Sequence, residues 1–153
     1  MISNDIVFNM LSVMMLFFLI MFAGCFFIFV YKVLGGPRIG RDSFLFFNFI
    51  FFRRNILSGL ALIFLVLAYA AEAFAQLREG ASIMSLLANV SGSLSILLFG
   101  VYGKYLYRGV IDDKNPFFFI KVFLTKVGFS FADVLLWLSR FTYIAWIVII
   151  IYN

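Results

Sequence analysis

Along this chain the apolar residues neither alternate nor recur on one helical face; they come in long blocks. Residues 6–31 carry no charge. Residues 55–71 carry none, and the apolar character continues past Glu72 to Leu77. Residues 80–103 form a third uncharged block, and residues 134–152 form a fourth in which Arg140 is the one charge. A helix crosses a hydrocarbon core of about 30 Å with about 20 mostly apolar residues. The pattern predicts an all-α integral membrane protein: one multi-span domain, residues 1–153, with spans at about 6–31, 55–77, 80–103 and 132–152.

Two further stretches are too apolar to be ordinary loops. "DSFLFFNFIFFRR", 42–54, either lies in the membrane interface or extends the second span inward. In 115–130, Asn115-Pro116 reads as a helix start, since proline suits the first helical turn. Lys121, Thr125 and Gly128 then fall within about 40° of Lys114, an arc of about 60° in all, a narrow polar stripe on an apolar helix. That form suits a helix in the membrane plane or one packed under a partner subunit. One or two interfacial helices are thus expected, with Arg53, Arg54, Lys121 and Lys126 as lipid contacts. "GGPRIG", 35–40, is a flexible turn without the spacing of a phosphate-binding loop.

Composition agrees. The chain is 65% hydrophobic and 12% charged, against about 25% charged in soluble domains, and its mean hydropathy is +1.13. Twenty-three phenylalanines suggest broad faces toward lipid or partners. There is no histidine and one cysteine, Cys25. Histidine-ligated haem, the usual zinc sites, an intrachain disulfide and a cysteine-held iron–sulfur cluster are excluded. No cofactor is expected.

The charges orient the chain. Five of twelve Lys/Arg lie between the first and second spans, and five between the third and fourth. The short second loop carries Arg78, and the N-terminal tail carries no Lys or Arg. Basic loops stay on the inner side, so both termini are expected outside, across a bacterial or organellar inner membrane. A net charge of +5 distributed this way does not imply nucleic acid.

The third span differs from the others in its small and polar residues. Ser85, Asn89, Gly92, Ile96, Gly100 and Gly103 follow a 3–4 spacing, and on the second span Ser58, Ala61, Leu65, Ala68, Glu72 and Ala75 do the same. Small residues let helices approach closely in lipid, so these two faces are expected to meet, with Ser85, Asn89, Gly92, Gly100, Ala61 and Ala68 as packing residues. Asn89 suits an interhelical hydrogen bond; lining a solute path is the alternative.

Arg140 lies seven residues beyond Asp133, about 10 Å deeper at 1.5 Å per residue and on nearly the same face. Its side chain is expected to reach back toward the inner headgroups, or toward Asp133 through water. The alternative is a buried pairing with a carboxylate or backbone carbonyl of another subunit.

"FAGC", 22–25, has the outline of a lipoprotein box, but the tail before it has no basic residue and the stretch after it is apolar. "RRNILSGLALIFLVLAYAAEAFAQ", 53–76, has a basic start, an apolar run and Ala73-Phe74-Ala75, the form of a signal-peptidase site. A cut after Ala75 leaves a two-span peptide with a basic inner loop. This resembles the plan of the conjugative and type IV secretion pilins, whose long leaders precede two-helix mature chains. An uncut chain is expected instead, because a complete extra span precedes that leader; Ala73 and Ala75 are then packing residues. Asp112-Asp113 reads as a solvated turn rather than a metal site. The overall expectation is a non-catalytic structural or accessory subunit of a larger membrane complex, respiratory or secretory. Its partners would be other membrane subunits and lipids. A small homo-oligomeric pore or transporter and the pilin-like precursor are the alternatives.

Overall fold

A computed structural model describes residues 4–35, 40–79 and 82–152, all helix and connection with no strand among them. The helices are α1 (Asn4–Lys32), α2 (Leu45–Phe52), α3 (Ile56–Glu79), α4 (Ile83–Val101), α5 (Phe118–Leu124) and α6 (Phe131–Tyr152). Four of these, α1, α3, α4 and α6, are long and apolar enough to cross a membrane. The chain has the fold of an all-α multi-pass membrane protein.

Local chemistry sets the helix starts. At α3, Asn55 Oδ1 accepts from the Ser58 amide at 2.7 Å while the Asn55 amide reaches Ser58 Oγ at 3.4 Å. At α6, Asp133 Oδ2 accepts from the Ser130 amide at 3.0 Å and Ser130 Oγ accepts from the Asp133 amide at 3.3 Å. Both are reciprocal caps that satisfy amides no helix can satisfy internally. Ser82 caps α4 through the Ser85 amide at 3.3 Å.

The four long helices form an open row. α1 packs on α3, α3 on α4, and α4 on α6; among the described residues no other pair of them makes more than a marginal contact. α1 and α6 are therefore edges. The short helices close one end of the row. α2 and α5 pack on each other, and α2 also lies against α3 and α4.

The large apolar core sits at this capped end. Phe29 near the end of α1, Phe46, Phe49 and Ile50 of α2, Phe99 near the end of α4, Phe118 of α5 and Leu136 near the start of α6 are all buried in one cluster. Many phenylalanines thus fill a core instead of facing lipid. Toward the other end the buried positions are small: Ala68, Ala71, Ala73, Ala75, Ala88 and Gly92.

Both apolar loop segments differ from the sequence expectation. Residues 42–54 do not extend α3, because the chain breaks at Arg53–Asn55; nor does α2 lie on the surface, since six of its eight residues are buried. The expected helix through 115–130 is confined to seven residues, 118–124. Thr125 turns extended, with φ −61° and ψ 146°, before the Ser130 cap begins α6.

The small-residue face of the third span serves two neighbours. A Cβ on Gly100 would meet Leu62 of α3, but a Cβ on Gly92 would meet Trp146 of α6 at 3.1 Å. Helix geometry explains the split: Gly100 lies about 20° from Asn89, while Ser95 lies about 120° away on the other flank. Ser95 and Ser139 exchange hydrogen bonds across the α4–α6 contact, each hydroxyl donating to the other's carbonyl at 2.9 and 3.0 Å. A helix inside a row needs two close faces, and α4 has them. Ala61 and Ala68 are buried on α3.

Candidate functional site

The capped end gathers most of the polar chemistry. Its construction starts from a problem of short helices. α2 and α5 have eight and seven residues, too few to be stable alone, and each ends in carbonyls with no intrahelical partner. In an apolar setting every unmet carbonyl is costly.

A cation from a neighbouring long helix meets each end. α4 continues as a π-helical turn, Tyr102–Leu106, closed by the Tyr107 amide on the Tyr102 carbonyl at 2.8 Å. Lys104 in this turn is 5% exposed. Its Nζ donates to the carbonyl of Arg53, which ends α2, at 2.6 Å, and to Ser58 Oγ at 2.8 Å. Arg140 of α6 does the same for α5. Its Nε donates to the Phe123 carbonyl and a terminal nitrogen donates to the Thr125 carbonyl, both at 2.5 Å. The guanidinium also lies over the Trp137 ring, 5.3 Å from its centroid. Cations are favoured at helix C-termini by the exposed carbonyl dipoles.

The question posed by Arg140 is therefore answered inside the chain. Its partners are backbone carbonyls of α5, not Asp133, whose carboxylate accepts from the Ser130 amide and hydroxyl. The guanidinium fork reaches the two carbonyls through separate nitrogens, a geometry the single ammonium nitrogen of lysine lacks. Arg140→Lys is expected to speed amide exchange in 118–125 severalfold, and Arg140→Gln more so, while 83–101 stays unchanged. Equal protection of 118–125 in all three proteins would remove the capping role.

Asn48 joins α2 to α5. It is 4% exposed, its Nδ2 donates to the Asn115 carbonyl at 2.7 Å, and its Oδ1 accepts from the Phe119 amide at 2.9 Å. Arg53 forms an ion pair with Asp113, and Arg54 Nε donates to the Lys104 carbonyl. These two arginines, exposed as lipid contacts require, also brace the cap. Lys121 and Lys126 are exposed. Asp112 accepts from the Lys114 amide at 3.2 Å, a turn contact. Tyr107 stacks edge-on against Phe52 and Phe118, and burial pushes its phenol above the ordinary tyrosine value.

A second polar group lies near the opposite end. Asn89 donates to Gln76 Oε1 at 2.9 Å, and Gln76 donates to Glu72 Oε1 at 3.0 Å. Asn89 thus links α4 to α3, through a residue outside the expected face. Ala73 and Ala75 are buried within α3, which runs through the cleavage-like motif without a break. Ser85 lies in the first turn of α4.

Sequence reasoning passed over Asn48, Lys104 and Gln76. Asn48 had a signal, being the lone polar residue of "LFFNFIFF". Lys104 had none, because a basic residue at the end of a span reads as a loop charge. No three His, Cys, Asp or Glu side chains cluster as metal ligands among the described residues. Set against known protein families, curated proteins and solved structures, the chain matches none of them.

Proposed function

We propose that the chain is a non-catalytic structural or accessory subunit of a larger membrane assembly, respiratory or secretory. We place it in a bacterial or organellar inner membrane, with the cap inside and both termini outside. One observation carries the reading: the row of helices does not close. α1 keeps Ile6, Met10, Val13, Phe17, Ile20 and Phe27 exposed along its length. The first five of these alternate by four and three residues, the spacing that seats one helix against another. α6 likewise exposes Val134, Leu138, Phe141, Ile144, Val148 and Ile151.

The cap favours an internal structural role for the conspicuous polar groups. Lys104, Arg140, Asn48 and Asn89 are engaged with other groups of the chain, which leaves little side-chain chemistry for a reaction. The +5 charge with its inward bias supports the orientation.

The test is the size and composition of the particle extracted from native membranes in mild detergent. Larger membrane proteins are expected to co-purify. Photo-reactive residues placed at Phe17 and Phe141 are expected to cross-link to those proteins. An isolated, monodisperse monomer with no cross-links from either edge would end the proposal. Solute flux in liposomes from this chain alone would favour the pore instead.

A further inference from the structure

We infer that the groove beneath α5 holds one acyl chain of an anionic phospholipid, with the lipid phosphate on the cations at its rim. The groove has a volume of about 400 Å³ and lies between α4, α5 and α6, with Ile96, Phe99, Ile120, Phe123, Leu124 and Tyr143 among its walls. Small-molecule sites span about 300–1,000 Å³ and are mostly apolar with a few convergent polar groups.

The groove has a direction. Phe123 and Leu124 belong to the cap, whereas Ile96 lies eight residues before Lys104 on α4, about 12 Å farther from the capped end. The apolar walls therefore descend between α4 and α6 from the cap toward the middle of the row. The cations nearest the groove in sequence, Lys121, Lys126 and Arg140, are at the cap. The Arg140 guanidinium lies 5.9 Å from the centroid of Phe123, one of the walls. Two of its nitrogens serve the α5 carbonyls; a guanidinium carries five N–H donors, so donors remain for a phosphate. Lys121 lies one turn before Leu124, and Lys126 two residues after it. Both are exposed, and neither forms an ion pair among the described residues.

An apolar slot with the Arg140 guanidinium beside its Phe123 wall, and two exposed lysines adjoining that wall in sequence, match an amphiphile with a negative head. Basic pockets between transmembrane helices at the inner face take anionic lipid headgroups in this way. A partner helix fits worse: at about 10 Å across and 5.4 Å per turn, roughly one turn would fill the space. A zwitterionic lipid could place its chain but would leave the rim charge unbalanced. The site does not depend on the chain being a subunit.

The test uses the full chain in nanodiscs of phosphatidylcholine with a minor fraction of phosphatidylglycerol, followed by detergent release and native mass measurement. About one phosphatidylglycerol per chain is expected to remain, enriched severalfold over its share of the membrane. Lys121→Gln with Lys126→Gln, both at exposed positions, is expected to cut that enrichment at least threefold. Ile120→Trp, which fills the groove without touching the charges, is expected to cut retention of either lipid. The wild-type comparison decides alone if a variant does not fold. Retention in proportion to membrane composition would overturn the site, as would a second copy or another protein cross-linked from Ile120.

Discussion

Gly103→Ala is expected to lower the unfolding midpoint of the purified protein by about 5–10 °C, corresponding to about 2–3 kcal/mol at 2–4 °C per kcal/mol for a chain of this size. The reason is where its Cβ would fall. It would lie 2.5 Å from the Phe51 carbonyl oxygen and 3.2 Å from the Phe51 carbonyl carbon. These are backbone atoms of α2, held by the cap, so neither partner can swing away. The same substitution at Gly100 puts the new carbon 2.5 Å from a Leu62 methyl. That is the end of a flexible side chain, and about 1 kcal/mol or less is expected. Gly59, within α3, has open space around it, and alanine there should leave the midpoint unchanged or raise it by a few degrees through helix propensity of up to about 1 kcal/mol. Thermal unfolding of the three variants in one detergent reads the order directly. A Gly103→Ala midpoint no lower than that of Gly100→Ala would refute the close contact between α2 and the π-turn.

Asn48→Leu is expected to be comparably damaging by a different route. The side chain is about the same size, so no cavity opens. The Phe119 amide loses its partner instead, and the Asn115 carbonyl is left with the Phe118 amide alone, at 3.1 Å. The orphaned amide costs about 1–3 kcal/mol. The loss is local at first. Amide exchange should rise in α5 and in 115–117, where the asparagine anchors the chain, while α3 near Gln76 keeps its protection. Asn48→Asp keeps the acceptor for Phe119 and, while its carboxyl is protonated, an O–H donor for Asn115, so it should lie near wild type at low pH and move toward leucine once the carboxyl ionises and loses that donor. If Asn48→Leu left both the midpoint and the exchange of 115–124 unchanged, the asparagine clamp would be discarded.

Legibility in the sequence tracked which forces act locally. The four long helices were readable because a membrane demands one thing of a crossing segment, length without charge, and the blocks in 6–31, 55–77, 80–103 and 134–152 come close to that demand. The small residues of the third span were readable for the same reason. Their assignment to one neighbour was not, because Gly92 and Gly100 belong to a 3–4 pattern that does not say where one facing helix ends and another begins. The candidate site was less legible. Arg140 stood out, but its partners are carbonyls of Phe123 and Thr125, and a backbone acceptor leaves no mark in a sequence. Lys104 was hidden by its position among five loop cations. The short helix α2 looked interfacial because "FLFFNFIFF" is equally apolar whether it faces lipid or protein. Only the tertiary fold separates those two cases.

The order of the row carries a consequence for biogenesis. Each long helix lies against the next long helix of the chain, α1 on α3, α3 on α4 and α4 on α6. A nascent polypeptide leaving the translocon therefore finds its neighbour already in place at every step, and no segment must wait for a distant mate. The exception is α2, whose Asn48 is satisfied only when residues 115–119 emerge some seventy positions later. A translation intermediate stopped after Tyr107 should insert normally and yet keep that asparagine without either of its partners.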